Sequence, residues 1–185
     1  MIVGLGNPGY DLTRHNVGFM VVDEIRRELR AGRWTRAFAF EHLRAEDAGT
    51  AILLVKPLTY MNLSGTAVRD ALTMSGIPLE RTLIVLDDFQ IPLGALRMRP
   101  AGSDGGHRGL ASVITTLGTE AVPRLRCGIG GEALPPKDGR RDFVLENFSA
   151  GEDAPARTMI GRAAEAARMF ALSGIGRAMT VYNTQ

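Results

Sequence analysis

The chemically most informative segment of the chain is TRHN at residues 13–16, in which His15 stands between polar residues in a loop before a predicted helix. Such a histidine has no apolar surface to fill, so it is either a surface residue that caps the helix or a general base. A neutral imidazole takes a proton from water most readily when a carboxylate fixes its other ring nitrogen. Asp87, which ends a predicted buried strand, is the expected carboxylate, whereas Asp88 should face the other way as a solvated or capping residue.

The serine and cysteine positions do not favour a covalent nucleophile. Ser64 opens a predicted helix, and we interpret it as the N-cap rather than as a nucleophile. Cys127 lies in the middle of a predicted strand, which is typical of a small core residue. We therefore expect direct attack by water. One cysteine and three histidines spread along the chain also predict no metal site, and we expect no cofactor.

Two further segments could assist such a reaction. Asn62 follows a strand-breaking proline, and its amide either ties down its own loop or donates to a developing oxyanion. Gly105 and Gly106 precede a predicted helix, where they should supply a hinge and backbone N–H donors for an anion. Both segments would place donors near the substrate.

The apolar periodicity predicts strands that alternate with helices. Strands are predicted at residues 1–5, 38–46, 51–55, 83–86, 95–99 and 124–129, and helices from Asn16 to Gly32, from Ser64 to near Gly76, through 110–117 and over 156–172. A polar loop is predicted at 132–141. This alternation indicates an α/β fold of three layers, a mixed, mostly parallel twisted sheet flanked by helices.

Several polar side chains should converge at one edge of this sheet. Asn7, Asn62 and Asp87 each follow a predicted strand, and sites in such folds gather beyond the carboxyl ends of the strands. GLGNPG at residues 4–9 also matches the dinucleotide fingerprint. The context argues against a nucleotide site, because Pro8 removes a donor and the predicted helix begins well downstream.

Arginine dominates the basic residues. Lys56 and Lys137 are the only lysines among 22 Lys and Arg, the formal net charge is +2, and the isoelectric point is about 9.0. Because the arginine fork suits phosphate, this excess indicates either a polyanionic partner or an arginine-biased genome. The arginines expected to form a basic patch beside the cleft are Arg97, Arg99, Arg108, Arg140 and Arg141.

Length and composition place the chain among ordinary globular proteins. Its 185 residues are 45% hydrophobic and 23% charged, with a mean hydropathy of zero, so we expect a single domain over 1–185. The longest apolar run, residues 51–55, is far shorter than the ~20 residues of a bilayer span. Residues 1–20 lack the layout of a signal peptide, and we expect a cytoplasmic protein without a membrane partner.

Taken in order, these motifs resemble bacterial peptidyl-tRNA hydrolase. The residues that carry the resemblance are 2–9, 13–18, 56–57, 60–65, 87–88, 92–94, 105–107 and 109–110, which run over nearly the whole chain. Several motifs in one order are far more specific than any single motif. The resemblance implies a monomeric, metal-free esterase that splits the ester between a peptide and the terminal ribose of tRNA.

The resemblance also implies individual roles. His15 would be the base, Asp87 would stabilise its protonated form, Asn7 would read the peptide backbone, and Asn62 would position the ester. The residues expected to contact the substrate or tRNA are Tyr10, Tyr60, Met61, Asn62, Gly105, Gly106, Arg97, Arg99, Arg108 and Arg140. Arg108 stands where the family commonly has asparagine, and Gln90 replaces a frequent acidic residue.

Two other classes of function remain open from the sequence. A binding module could keep this fold without catalysis, for example an RNA-splicing or ribosome-associated factor. A nucleotide-dependent oxidoreductase is the second alternative. The polar set of His15, Asp87, Asn7 and Asn62 favours the enzyme over both.

Overall fold

A seven-stranded mixed sheet lies at the centre of the molecule. The structure is a computed structural model that describes residues 1–131, 136 and 138–183. Within these residues the strands are β1 (Ile2–Gly4), β2 (Thr35–Arg36), β3 (Phe40–Asp47), β4 (Thr50–Pro57), β5 (Leu83–Pro92), β6 (Leu96–Arg99) and β7 (Arg124–Gly130). Their spatial order is β2-β3-β4-β1-β5-β7-β6. The four central strands are parallel, and the strands at both edges are antiparallel.

Helices cover both faces of the sheet. They are α1 (Val17–Glu28), α2 (Ser64–Ser75), α3 (Arg108–Leu117), α4 (Arg140–Leu145) and α5 (Asp153–Tyr182). Helices α1 and α5 bury one apolar cluster against the sheet, and α2 and α3 bury a second cluster on the opposite face. The predicted three-layer α/β fold is therefore confirmed. Among the described residues, no helix has both the length and the apolar character that crossing a membrane requires.

Several predicted boundaries were wrong. Strand β5 continues to Pro92, past the predicted end at residue 86, because its later residues pair with β7. Helix α5 continues to Tyr182 across a kink at Gly174. The predicted loop at 132–141 ends in α4, which begins at Arg140; residues 132–135 and 137 of that prediction lie outside the described residues.

The two predicted cap side chains bind elsewhere. Asn16 precedes α1, but its amide makes a pair of hydrogen bonds with the main chain of Asn7 and none with the helix. Ser64 is the first residue of α2, and its hydroxyl donates to the Met61 carbonyl. Both side chains thus fix the loops that follow β1 and β4.

Two glycines let α1 lie directly on β1. A Cβ atom at Gly4 would stand 2.0 Å from the carbonyl oxygen of Gly18, and one at Gly18 would stand 2.4 Å from the main chain of Leu5. Any side chain at either position would separate the helix from the strand. The close approach brings His15, just before α1, to the carboxyl end of the sheet.

Candidate active site

A cavity of about 500 Å³ opens at the carboxyl ends of the central strands. The sequence-predicted residues that line it are Asn7, Tyr10, His15, Tyr60, Met61, Asn62, Asp87, Gly105, Gly106, Arg108 and Arg140. Arg141 lines it as well, whereas Arg97 and Arg99 do not. The predicted convergence of the three polar segments is confirmed: Asn7 and Asn62 follow β1 and β4, and Asp87 lies within β5, which is longer than predicted.

His15 and Asp87 are in direct contact on the floor of this cavity. Nδ1 of His15 lies 2.7 Å from Oδ1 of Asp87, across 72 positions of sequence. The Asp87 side chain is only 2% exposed, and that of His15 is 12% exposed. A buried carboxylate on one ring nitrogen is the arrangement that orients an imidazole for proton transfer.

His107 is the site residue that the sequence did not reveal. Its Nε2 lies 3.1 Å from the same Asp87 oxygen, and its ring centroid is 5.0 Å from that of His15. The sequence predicts for this segment only a hinge with backbone donors. The available signal was its position directly before α3, where its Nδ1 accepts the Leu110 N–H at 3.2 Å.

The hydrogen bonds assign the tautomers of both rings. Because Nδ1 of His107 accepts a hydrogen bond from the Leu110 N–H, the ring proton is on Nε2, which donates a hydrogen bond to Asp87. The ionised Asp87 can only accept, so Nδ1 of His15 also donates to it. Nε2 of His15 is left as the nitrogen with a free lone pair, which is the form that a general base needs.

Electrostatics within this cluster set the pKa of each group. Burial alone would lower the pKa of His15, but the charge and hydrogen bond of Asp87 outweigh it and raise the pKa above the ordinary 6.5, with Arg108 opposing. Burial would raise the pKa of Asp87, yet its interactions with His15 and His107 hold it well below 3.8. Asp87 therefore stays ionised.

The side chains of His15, Asp87 and His107 are close enough together to ligate a metal ion. The ligand atoms of His15, Asp87 and His107 lie within 4.8 Å of one another. A metal ion would have to displace both protons that now bind Asp87. His107 would need to ligate through Nε2 while its Nδ1 still accepts from Leu110, so a neutral ring has no place for its proton. The donor arrangement thus favours an imidazole–carboxylate network over a metal centre.

Asn7 presents a donor to the cavity. Its carboxamide oxygen accepts the Met61 N–H at 2.7 Å, which fixes the orientation of the amide. Its main chain is held by Asn16, with distances of 2.8 Å and 2.9 Å. Since the oxygen is engaged and Asn7 lines the cavity, the amide nitrogen is the group that can meet a carbonyl oxygen of a ligand.

The expectation of free backbone donors at the glycine loop was wrong for Gly106. Its N–H donates to the Asp104 carboxylate at 2.6 Å. The Gly105 carbonyl is also engaged, because the Gln90 amide donates to it at 2.8 Å. Both glycines have positive φ, 61° and 85°, and the tight local turn that they form engages the Gly106 N–H, so this donor is not available to an anion.

Asp88 is neither solvated nor a helix cap, contrary to the expectation. It is 8% exposed, pairs with the Arg126 guanidinium and accepts the Gln90 N–H. Arg126 lies on β7, the strand that pairs with β5. The pattern of residues along β5 alone could not predict this contact. Arg97 stands opposite Arg126 in the next strand and is exposed there. It therefore lies beyond the cavity wall, and Arg99 lies two pairs further along β6.

The basic and aromatic residues of the rim are largely exposed. Tyr10 and Tyr60 are 45% and 69% exposed. Arg108 and Arg141 are exposed as well, while Arg140 is half-buried with its guanidinium 5.1 Å from the Phe89 ring centroid. Three arginines on one rim offer guanidinium donors that suit the phosphate oxygens of an anionic ligand.

The fold and this site together define an α/β enzyme suited to general-base chemistry. The family model described as peptidyl-tRNA hydrolase matches residues 1–185. Curated peptidyl-tRNA hydrolases of Carboxydothermus hydrogenoformans and Chlorobium phaeobacteroides are each 44% identical over 185 residues, covering 99% of this chain and 97% of the relative. The chain belongs to the peptidyl-tRNA hydrolase family, whose members are carboxylic ester hydrolases.

Solved structures agree with this assignment. The peptidyl-tRNA hydrolase of Acinetobacter baumannii superposes with a TM-score of 0.90 at 30% identity, covering 98% of this chain and 93% of that chain. A complex of peptidyl-tRNA hydrolase with N-propanol gives the same TM-score, identity and coverage. The similarity therefore extends over the whole fold.

Proposed function

We propose that this protein hydrolyses the ester between a peptide, or an N-blocked aminoacyl group, and tRNA, and releases the tRNA for reuse in translation. The observation that carries the proposal is the 2.7 Å contact between His15 and Asp87 on the floor of a cavity rimmed by arginines. Membership of the family supplies the substrate class.

In the proposed mechanism, Nε2 of His15 removes a proton from a water molecule held beside Asn7. The water oxygen adds to the carbonyl carbon of the ester. The negative charge that develops on the carbonyl oxygen is stabilised by a hydrogen bond from the Asn62 amide. The carbon–oxygen bond to the ribose then breaks, and His15 returns the proton to the departing ribose oxygen. Asp87 remains ionised throughout and stabilises the imidazolium. No covalent intermediate forms.

Substrate binding is proposed to involve the rim. The Asn7 amide nitrogen would bind a carbonyl of the peptide, while Tyr10, Tyr60 and Met61 would contact the acceptor end. Arg108 and Arg140 would bind its phosphates. Arg97 and Arg99 would extend this basic surface beyond the cavity, with Gly105 and Gly106 shaping its wall.

We also propose that the protein acts in the cytoplasm as a monomer. The family acts on tRNA in translation, and this location follows from that substrate. The proposed catalytic groups all come from one chain, so the mechanism needs no partner subunit.

The direct test is release of N-acetylated amino acid from tRNA with a chelator present. Replacing His15 by Ala removes the proposed base, so we expect turnover to fall by roughly 10²–10⁴-fold while tRNA binding persists. His42→Ala is the matched control, because His42 lies on β3 outside the cavity lining. Normal turnover by the His15 variant would refute the mechanism, and a wild-type protein that binds without hydrolysis would favour the binding module.

A further inference from the structure

Arg14, the residue before the proposed base, has no part in the mechanism above and is nevertheless buried. Its side chain is 7% exposed. Burying a guanidinium is costly unless its charge and its donors are satisfied. The contacts of Arg14 therefore indicate what its burial achieves.

The side-chain contacts given for Arg14 lead to residues 143–152. The guanidinium donates to Oε2 of Glu152 at 2.8 Å and to the carbonyl of Phe143 at 3.4 Å. A second carboxylate, Glu146, stands 3.6 Å away. The main-chain N–H of Arg14 donates to the Glu146 carbonyl at 2.9 Å, and Thr13 forms an antiparallel bridge with Asn147.

Two aromatic rings complete the pocket around this guanidinium. Its central carbon lies 4.6 Å from the Phe143 ring centroid and 5.5 Å from that of Phe148. Both distances suit cation–π contact. Nε of Arg14 is buried and has no hydrogen-bond partner among the described residues. The polar contacts of the guanidinium are therefore made by its two terminal nitrogens, with Glu152, Glu146 and the Phe143 carbonyl. Arg14 thus fastens α4 and the turn after it.

This segment is one wall of the cavity. Arg140, Arg141, Val144 and Leu145 of α4 line it. The imidazole of His15 is oriented by a different contact, the one with Asp87, although the main chain of Thr13 and Arg14 is also joined to this wall. The side-chain support of the wall, Arg14, therefore differs from that of the imidazole, Asp87.

We propose that Arg14 is a positioning residue that holds α4 as the wall of the cavity, so that it controls affinity for peptidyl-tRNA and not the ester chemistry. The inference rests on the hydrolase function proposed above. Loss of Arg14 removes the anchor of α4 but leaves the contact between His15 and Asp87 in place.

The test compares Arg14→Met with Arg168→Met in the full chain. Arg168 is a matched control, since it also bonds two carboxylates, Asp47 and Glu28, but lies outside the cavity lining. With N-acetylaminoacyl-tRNA, we expect Arg14→Met to raise KM between about 10-fold and 10²-fold, with kcat and its pH profile unchanged. Arg168→Met should leave all three at their wild-type values.

Hydrogen–deuterium exchange supplies a readout that does not need activity. Amides of residues 140–152 should exchange faster in Arg14→Met and at the wild-type rate in Arg168→Met. If Arg14→Met fails to fold, Glu152→Gln removes the anionic partner and should raise KM in the same direction by less.

Two results would overturn the inference: unchanged exchange at 140–152, or a fall in kcat without a rise in KM. An inactive wild-type protein would instead refute the proposed function, and the exchange arm would still decide whether Arg14 holds α4.

Discussion

The floor and the rim of the cavity differ in burial and in how their polar atoms are bonded. The floor comprises Asn7, His15, Asp87 and His107, with Asn16 buried behind Asn7, and the rim comprises Tyr10, Tyr60, Asn62, Arg108 and Arg141. On the floor, Asp87 is 2% exposed and Asn7 is 8% exposed, whereas Tyr60 on the rim is 69% exposed. Floor residues hydrogen-bond one another or the adjacent main chain, while rim side chains project toward solvent.

This difference separates two tasks. The buried floor is preorganised, so its dipoles need not reorient when charge develops during the reaction. Exposed rim side chains lose conformational freedom only when a ligand orders them, so each contributes modestly and replaceably to binding. Substitutions of His15 and Asp87 on the floor should therefore affect kcat, and those of the tyrosines and arginines on the rim should affect KM, salt dependence or the pH profile. Asn62 on the rim and Asn7 on the floor are exceptions, because the mechanism proposed above gives Asn62 the oxyanion and Asn7 the peptide.

The sharpest test of the floor is Asp87→Asn. An amide in place of the carboxylate removes the charge that supports the imidazolium and can present an N–H to His15, which favours the wrong tautomer. We expect kcat to fall by roughly 10²–10⁴-fold with KM little changed, measured under saturating N-acetylaminoacyl-tRNA.

Asp88→Asn is the control for that variant, because Asp88 neighbours Asp87 but bonds Arg126 and Gln90. Its kcat should stay close to that of the wild type. Equal losses in the two variants would mean that the floor depends on general negative charge and not on one oriented carboxylate.

A smaller effect is expected at the rim from Arg141→Ala. If Arg141 binds a phosphate, its loss should raise KM and reduce the slope of log affinity against log salt by about 0.7 to 0.9. Affinity measured over a range of salt concentrations tests this directly. Arg27→Ala, at the distal end of α1, should leave the slope intact; an unchanged slope in Arg141→Ala would exclude a phosphate contact there.

The smallest effect couples the rim to the floor. Arg108 lowers the pKa of His15, and His15 acts only when deprotonated, so activity is lost as the pH falls through that pKa. Arg108→Asn removes the opposing charge, raises the pKa and should move the acidic limb of kcat/KM to higher pH. Arg108→Lys keeps the charge and should keep the limb. A limb that moves to lower pH would contradict the proposed electrostatics.

Much of the fold was predictable, because local patterns report local structure. Apolar runs such as residues 51–55 and 83–86 located central strands, and the spacing of Val21, Val22 and Ile25 located α1. The placement of Asn7, Asn62 and Asp87 after strands also predicted the edge at which the cavity lies. Boundaries were less predictable, since β5 extends only because β7 continues to pair with it.

The sequence by itself therefore determined most of the strands and helices, their alternation, and the candidate pair of His15 and Asp87, but it missed β2 and α4. Tertiary structure alone decided which donors reach which acceptors: that His107 shares the Asp87 oxygen, that Asp104 takes the Gly106 N–H, and that Arg14 is buried against α4. The physical reason is that periodicity is a property of neighbours along the chain. A hydrogen bond, in contrast, depends on distances of a few tenths of an ångström between groups that only folding brings together.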